Sequence, residues 1–130
     1  MMPPSPLKPK NNARLAAYRD GHRGETLAAL LLRLQFYRII ARRYKTPVGE
    51  IDLIASRFGT IVFIEVKARS QAAAEAETLA GVNQSRIVRA AQYWLARHPR
   101  QAQSSFRFDV IFLAQGRWPR HVINAFDAAG

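Results

Sequence analysis

The chain has no cysteine, which excludes a disulfide framework, a thiolate zinc or iron–sulfur site and a cysteine nucleophile. Acidic residues are scarce too, nine Asp and Glu against twenty Lys and Arg, for a formal charge of +11. The longest apolar run near the N-terminus, Leu27 to Leu32, lies between Glu25 and Arg33 and is far too short to span a bilayer. Prolines and charges fill the first two dozen residues, where a signal peptide needs an apolar stretch. A soluble, cytoplasmic protein with no membrane partner is expected.

What is present is one domain's worth of chain: 130 residues, 48% hydrophobic and 10% aromatic, enough for one core and too apolar for a long disordered chain. Sixteen of the twenty basic residues are Arg. A planar, permanently charged guanidinium matches phosphate oxygens, so a polyanionic partner is expected.

Four of the seven prolines fall within the first nine residues, with no apolar period around them, so residues 1–20 read as a disordered basic tail. His22 to Gln35 spaces Leu27, Leu30, Leu31 and Leu34 as a helix with one buried face. Phe36 to Arg43 reads as a strand ending at the turn residues Thr46-Pro47-Val48-Gly49. Glu50 to Ser56 and Ile61 to Ala68 form a hairpin about Arg57-Phe58-Gly59-Thr60. A loop is expected over 69–80. Asn83 to Arg97 then reads as a helix burying Ile87, Val88, Ala91, Trp94 and Leu95 and ending at His98-Pro99. Phe106 to Leu113 and His121 to Phe126 read as strands joined through Gln115-Gly116-Arg117-Trp118-Pro119. The order αβββαββ implies an α/β or α+β layer, one mixed sheet with helices packed on it, over residues 21–126, followed by a short C-terminal tail at 127–130.

Glu50, Asp52, Glu65 and Lys67 are conspicuous because they interrupt strands that are otherwise apolar on both faces, where charge is costly unless paired or used. A hairpin centred between Phe58 and Gly59 pairs positions whose numbers sum to 117, which sets Asp52 opposite Glu65 and Glu50 opposite Lys67. Asp52, Glu65 and Lys67 would then share one face at one end of the hairpin. Like charges so placed repel unless a cation lies between them, and carboxylate oxygens with open water positions suit Mg²⁺ or Mn²⁺. Lys67 would orient or help deprotonate a water, or neutralise charge developing on a phosphate; the sequence does not choose among these. Glu25 offers a further carboxylate if its helix crosses the hairpin's polar end.

Gly49-Glu50-Ile51-Asp52-Leu53-Ile54-Ala55, followed by Val62-Phe63-Ile64-Glu65-Val66-Lys67-Ala68-Arg69, resembles the YraN family of uncharacterised bacterial proteins. The likeness extends over Gly24-Glu25, Gln84 to Leu95, Arg107-Phe108-Asp109-Val110 and Ala125-Phe126, spanning roughly residues 21 to 126. That family is similar to Holliday-junction resolvases of the PD-(D/E)xK nuclease superfamily. The resemblance implies a restriction-endonuclease-like fold, with Asp52 and Glu65 as metal ligands and Lys67 as the catalytic lysine. It further implies that Glu25 is the acidic residue of the first helix and that Gln84 assists from the second. Branched DNA as substrate and a homodimer are implied only by this likeness. Where the family usually has Lys-Gln, this chain has Asn83-Gln84, which removes one cation from the expected phosphate contacts.

Blander readings exist for each residue. The Asp52, Glu65 and Lys67 group also reads as a salt-bridge cluster, Glu50 as a partner for Lys67, Glu25 as an acid favoured early in a helix, and Gln84 as a solvated first-turn residue. His22, His98 and His121 lack metal-ligand spacing, and Ser85, Ser104 and Ser105 lack a triad's companions. Arg42, Arg43, Lys45 and Arg69 flank the site in sequence and Arg86 lies on the second helix, so these are the expected phosphate contacts. The expected activity is a Mg²⁺-dependent endonuclease acting on DNA. The alternatives are an adaptor that keeps the nuclease fold without cutting and a purely basic RNA-binding protein.

Overall fold

The computed structural model describes residues 24–68 and 82–128. The expected N-terminal tail, His22, the 69–80 loop and Arg69 lie outside them. In chain order the elements are α1 (24–34), β1 (Arg38–Thr46), β2 (Gly49–Arg57), β3 (Thr60–Lys67), α2 (Val82–Arg97), a 3-10 turn (Gln101–Gln103), β4 (Ser105–Phe112) and β5 (Arg120–Phe126). The five strands form one mixed sheet in the order β1-β2-β3-β4-β5, antiparallel except for the parallel pair β3 and β4 joined through α2. Among the described residues no helix is long and apolar enough to cross a membrane.

One helix covers each face. Ile87, Val88, Ala90, Ala91 and Trp94 of α2 pack on Ile54, Ile61, Phe63 and Phe108, with Trp94 edge-on to Phe63. Trp94 is therefore core. His98 closes α2 by bonding the Trp94 carbonyl through Nδ1 at 2.7 Å and stacking on the indole. On the other face Ala28, Ala29 and Leu32 of α1 pack on Tyr37, Leu53, Ala55, Val62, Ile64 and Ile111.

The expected face of α1 is a correction. Leu27, Leu30 and Leu34 are exposed and Leu31 is half-buried, while Glu25, Ala28, Ala29 and Leu32 are buried. Leucine spacing alone does not distinguish that stripe from the adjacent one. The two alanines let the helix backbone approach a sheet already crowded by Leu53, Val62 and Ile64, and a row of leucines at the contact would hold it away.

The first strand also begins later than expected, at Arg38, because Phe36 has a left-handed φ of 68° and ends the turn out of α1; it runs on to Thr46. The expected turn follows, with the Thr46 hydroxyl donating to the Gly49 carbonyl and accepting from the Val48 N–H. Gly49 has a packing reason: a Cβ there would sit 2.8 Å from the Arg86 carbonyl oxygen. β2 thus starts directly against α2.

Candidate functional site

The β2–β3 ladder keeps the expected register from Arg57↔Thr60 to Leu53↔Ile64. There it stops. In place of a Asp52↔Glu65 rung, the Val66 N–H donates to Asp52 Oδ2 at 2.7 Å. A carboxylate has taken the acceptor position a strand carbonyl would occupy, so the hairpin opens toward its polar end. Glu50 is paired across β1 with Lys45, a partner the hairpin register alone does not give.

β1 changes at the same rung. Arg42↔Leu53 and Tyr44↔Ile51 set Arg43 opposite Asp52, and Arg43 has a left-handed φ of 52°. Ala41 and Tyr44, three residues apart, both pack on the α2 side, as do Ile51 and Ile54. Strict alternation would place the members of each pair on opposite faces. Both strands therefore shift face at the Arg43–Asp52 rung.

The opening is a cavity of about 400 Å³ lined by Glu25, Arg43, Glu50, Asp52, Glu65, Lys67, Arg86 and Ile87. Glu25 reaches it from α1, where Gly24 sits close to Leu113 and Val66, and its Oε2 pairs with Arg43 Nε at 2.7 Å. Lys67 Nζ lies 3.4 Å from Glu65 Oε1. Four acids face three bases, an excess of one negative charge if all are ionised.

The acids bear the cost of burial. Desolvation raises Asp52 to about 6 even though the Val66 N–H favours its charged form, with Glu25 and Glu50 adding repulsion. Glu65 rises to about 7, mainly through burial and then through the Asp52 charge, with Lys67 opposing. Glu25 is also raised by burial, against the pull of Arg43. Among the described residues no group of three or more His, Asp or Glu side chains is gathered tightly enough to cage an ion. Asp52 and Glu65 could offer an ion carboxylate oxygens from neighbouring strands, with the cavity beside them. Such a donor set suits Mg²⁺ or Mn²⁺, which keep several waters and bind through one or two carboxylates plus a phosphate.

Of the expected basic residues, Arg43 and Arg86 line the cavity and Lys45 is exposed opposite Glu50. Arg42 is exposed and donates to Thr26 Oγ1 at 2.9 Å, tying β1 to α1. Gln84 is half-buried one turn before the cavity-lining Ile87 and is not itself among the lining residues.

The structure adds a second polar cluster. Asp109, fully buried in β4, accepts from Arg107, from His121 Nε2 at 2.7 Å and from the Asn124 N–H at 2.9 Å, and Arg107 also bonds the Tyr37 hydroxyl. Burial works against the Asp109 carboxylate, but these donors outweigh it and hold its pKa below the ordinary value. An acid inside an apolar strand was the signal that singled out Asp52, and the same signal marks Asp109. What the sequence hides is that two of its partners, His121 and Asn124, come from 12 and 15 positions away.

A family model described as "Uncharacterised protein family UPF0102" matches residues 24–113. A UPF0102 protein of Parvibaculum lavamentivorans is 52% identical over 112 residues, covering 86% of this chain and 84% of that one. One of Rhodopseudomonas palustris is 50% identical over 121 residues, 93% of each chain. One of Bradyrhizobium sp. is 46% identical over 126 residues, 97% of this chain and 89% of that one. The chain therefore belongs to the uncharacterised protein family UPF0102, the YraN family its strand motifs resemble.

Proposed function

We propose that this protein is a metal-dependent endonuclease that binds DNA and hydrolyses phosphodiester bonds, on a restriction-endonuclease-like variant of its mixed α/β fold. The supporting observation is the convergence of Asp52, Glu65, Lys67 and Glu25 from three elements on one cavity whose acids are poorly compensated.

Asp52 and Glu65 would hold the ion, with Mg²⁺ or Mn²⁺ the fitting choice. When bound, such an ion supplies charge neutralisation at a phosphodiester and acidifies a water. The chain's own groups do the rest. The Val66 N–H fixes the Asp52 carboxylate. Lys67, 3.4 Å from Glu65, would orient the attacking water, help deprotonate it or meet negative charge growing on the phosphate. Arg43 pairs with Glu25 and opposes the rise that burial gives its pKa, and Arg86 offers a guanidinium to the backbone of the bound strand. Gln84 would assist from the turn before. Branched DNA as the substrate, and two copies of the chain matching two strands of a junction, rest on the family's likeness to Holliday-junction resolvases.

The second reading, a DNA-binding adaptor without cutting, draws on the ion pairs Glu25–Arg43 and Glu65–Lys67, which already neutralise part of the site. One experiment separates the two. Binding and cleavage of branched, single-stranded and duplex DNA are measured with Mg²⁺, Mn²⁺ or EDTA for wild type and Asp52→Ala. Metal-dependent cutting lost in the variant supports the enzyme, and tight binding with no cutting in either metal supports the adaptor.

A further inference from the structure

The loop between β4 and β5 carries Trp118, the most exposed large apolar residue among those described, at 92%. Its place in the fold gives that exposure meaning. β4 runs parallel to β3 with Phe112 opposite Lys67, and the Leu113 N–H continues the ladder by donating to the Lys67 carbonyl at 2.8 Å. Arg120, where β5 begins, is in turn opposite Phe112. The loop therefore leaves the sheet at the end where Lys67 faces the cavity, not at the far end with the Phe58-Gly59 turn. A Cβ added at Gly24, the neighbour of Glu25, would lie 3.2 Å from the Leu113 side chain. Two strand spacings of about 4.8 Å and two further residues put the Trp118 backbone on the order of 12 Å from that of Lys67. That is three or four nucleotide steps at about 3.4 Å each.

A tryptophan held in solvent is unfavourable for a soluble domain, and the core here had aromatic positions to offer. The charges around Trp118 indicate what would cover it. Arg117 and Arg120 flank it, both exposed, on a chain of net charge +11. An exposed indole between guanidiniums combines a π-face for any base with cations for the phosphates beside it.

Resting on the nuclease reading, we propose that Trp118 is a stacking platform for an unpaired base of DNA, with Arg117 and Arg120 holding the adjoining phosphates. The β4–β5 loop thereby selects DNA in which bases are unstacked a few nucleotides from the cut: a fork, flap or junction arm, not a continuous duplex.

The test uses the full chain with Ca²⁺ in place of Mg²⁺ and compares forked with blunt duplex DNA of equal length. The chain has two tryptophans, and Trp94 is buried, so quenching on stacking reports Trp118. Forked DNA is expected to quench wild-type emission and to leave Trp118→Phe emission unchanged. Trp118→Ala is expected to weaken forked-DNA binding about tenfold, Trp118→Phe to restore most of it, and neither to alter blunt-duplex binding. Quenching that persists in Trp118→Phe, equal losses on both DNAs, or no loss at all overturns the proposal, the last leaving Trp118 to a protein partner. Cleavage in Mg²⁺ by the Trp118→Ala variant keeps the outcomes apart: cutting with unchanged fork preference sinks the platform alone, and fork-selective binding without cutting by any form sinks the nuclease alone.

Discussion

Arg43 and Asp52 face each other across β1 and β2 at the rung where both strands shift the face they bury. Asp52 accepts the Val66 N–H on one neighbouring strand, and Arg43, in a left-handed backbone conformation, pairs with Glu25 on α1. Strained backbone of this kind costs about 1–2 kcal/mol for a residue with a Cβ and persists where surrounding contacts enforce it. Here the result is an opening between strands, lined by four acids and three bases.

The left-handed φ of Arg43 gives a test with an unusual sign. In a strand, glycine is ordinarily less stable than alanine. At this position Arg43→Gly is expected to be more stable than Arg43→Ala by about 1 kcal/mol, because only glycine adopts the conformation without strain. Chemical denaturation of the two variants measures the difference, and alanine proving the more stable would show that the strand relaxes to regular geometry.

The Glu25–Arg43 pair is largely removed from solvent on the Glu25 side, so its members should not act independently. A double-mutant cycle with Glu25→Gln and Arg43→Met is expected to give a coupling of about 1 kcal/mol in stability. Additive effects would mean the pair is no more than a surface contact.

The site's pH dependence follows from the raised carboxyls. Asp52 and Glu65 titrate near 6 and 7 in the folded protein, above their ordinary values, so between roughly pH 4 and 7 the folded state holds more protons than the unfolded one. Stability from this source falls as pH rises through that window. In EDTA the melting temperature is expected to decline from pH 5 to pH 8 by roughly 5 °C, and Asp52→Asn to flatten the decline. Mn²⁺ should raise it more at pH 8 than at pH 5, because the ion binds the deprotonated pair. Equal stabilisation at both pH values would count against ligation by these acids.

Asp109 predicts the opposite slope. Its donors hold its pKa below the ordinary value, so the stability it contributes is present above about pH 4 and is lost as pH falls through the lower, folded value. Asp109→Ala leaves Arg107 and the largely buried His121 without their shared acceptor and is expected to cost about 3 kcal/mol. Urea denaturation at neutral pH reads this. A cost below about 1 kcal/mol would show that the cluster is not the staple between β4 and β5 that its geometry describes.

Much of this was written in the chain. Short runs rich in Ile, Val and Phe specify the strands, and the Arg57-Phe58-Gly59-Thr60 turn specifies the hairpin register, which holds from Arg57↔Thr60 to Leu53↔Ile64. The apolar stripe of α2 and its His98-Pro99 end were legible for the same reason: these are local patterns set by backbone geometry and side-chain spacing. Charges inside apolar strands pointed to Asp52, Glu65 and Lys67 because desolvation makes such positions costly without a purpose.

Only the tertiary structure decided the rest, since each remaining feature depends on what lies across a gap no local pattern spans. The buried side of α1 was set by Ala28, Ala29 and Leu32 against the sheet, not by the stripe of Leu27, Leu30, Leu31 and Leu34. The break in the ladder at Asp52 required the neighbouring N–H of Val66 and the turned backbone of Arg43. Placing the Trp118 loop beside Lys67 required β4 to lie parallel to β3, a relation fixed by packing through α2 and by hydrogen bonds between strands 45 residues apart in the chain at the Lys67↔Phe112 rung.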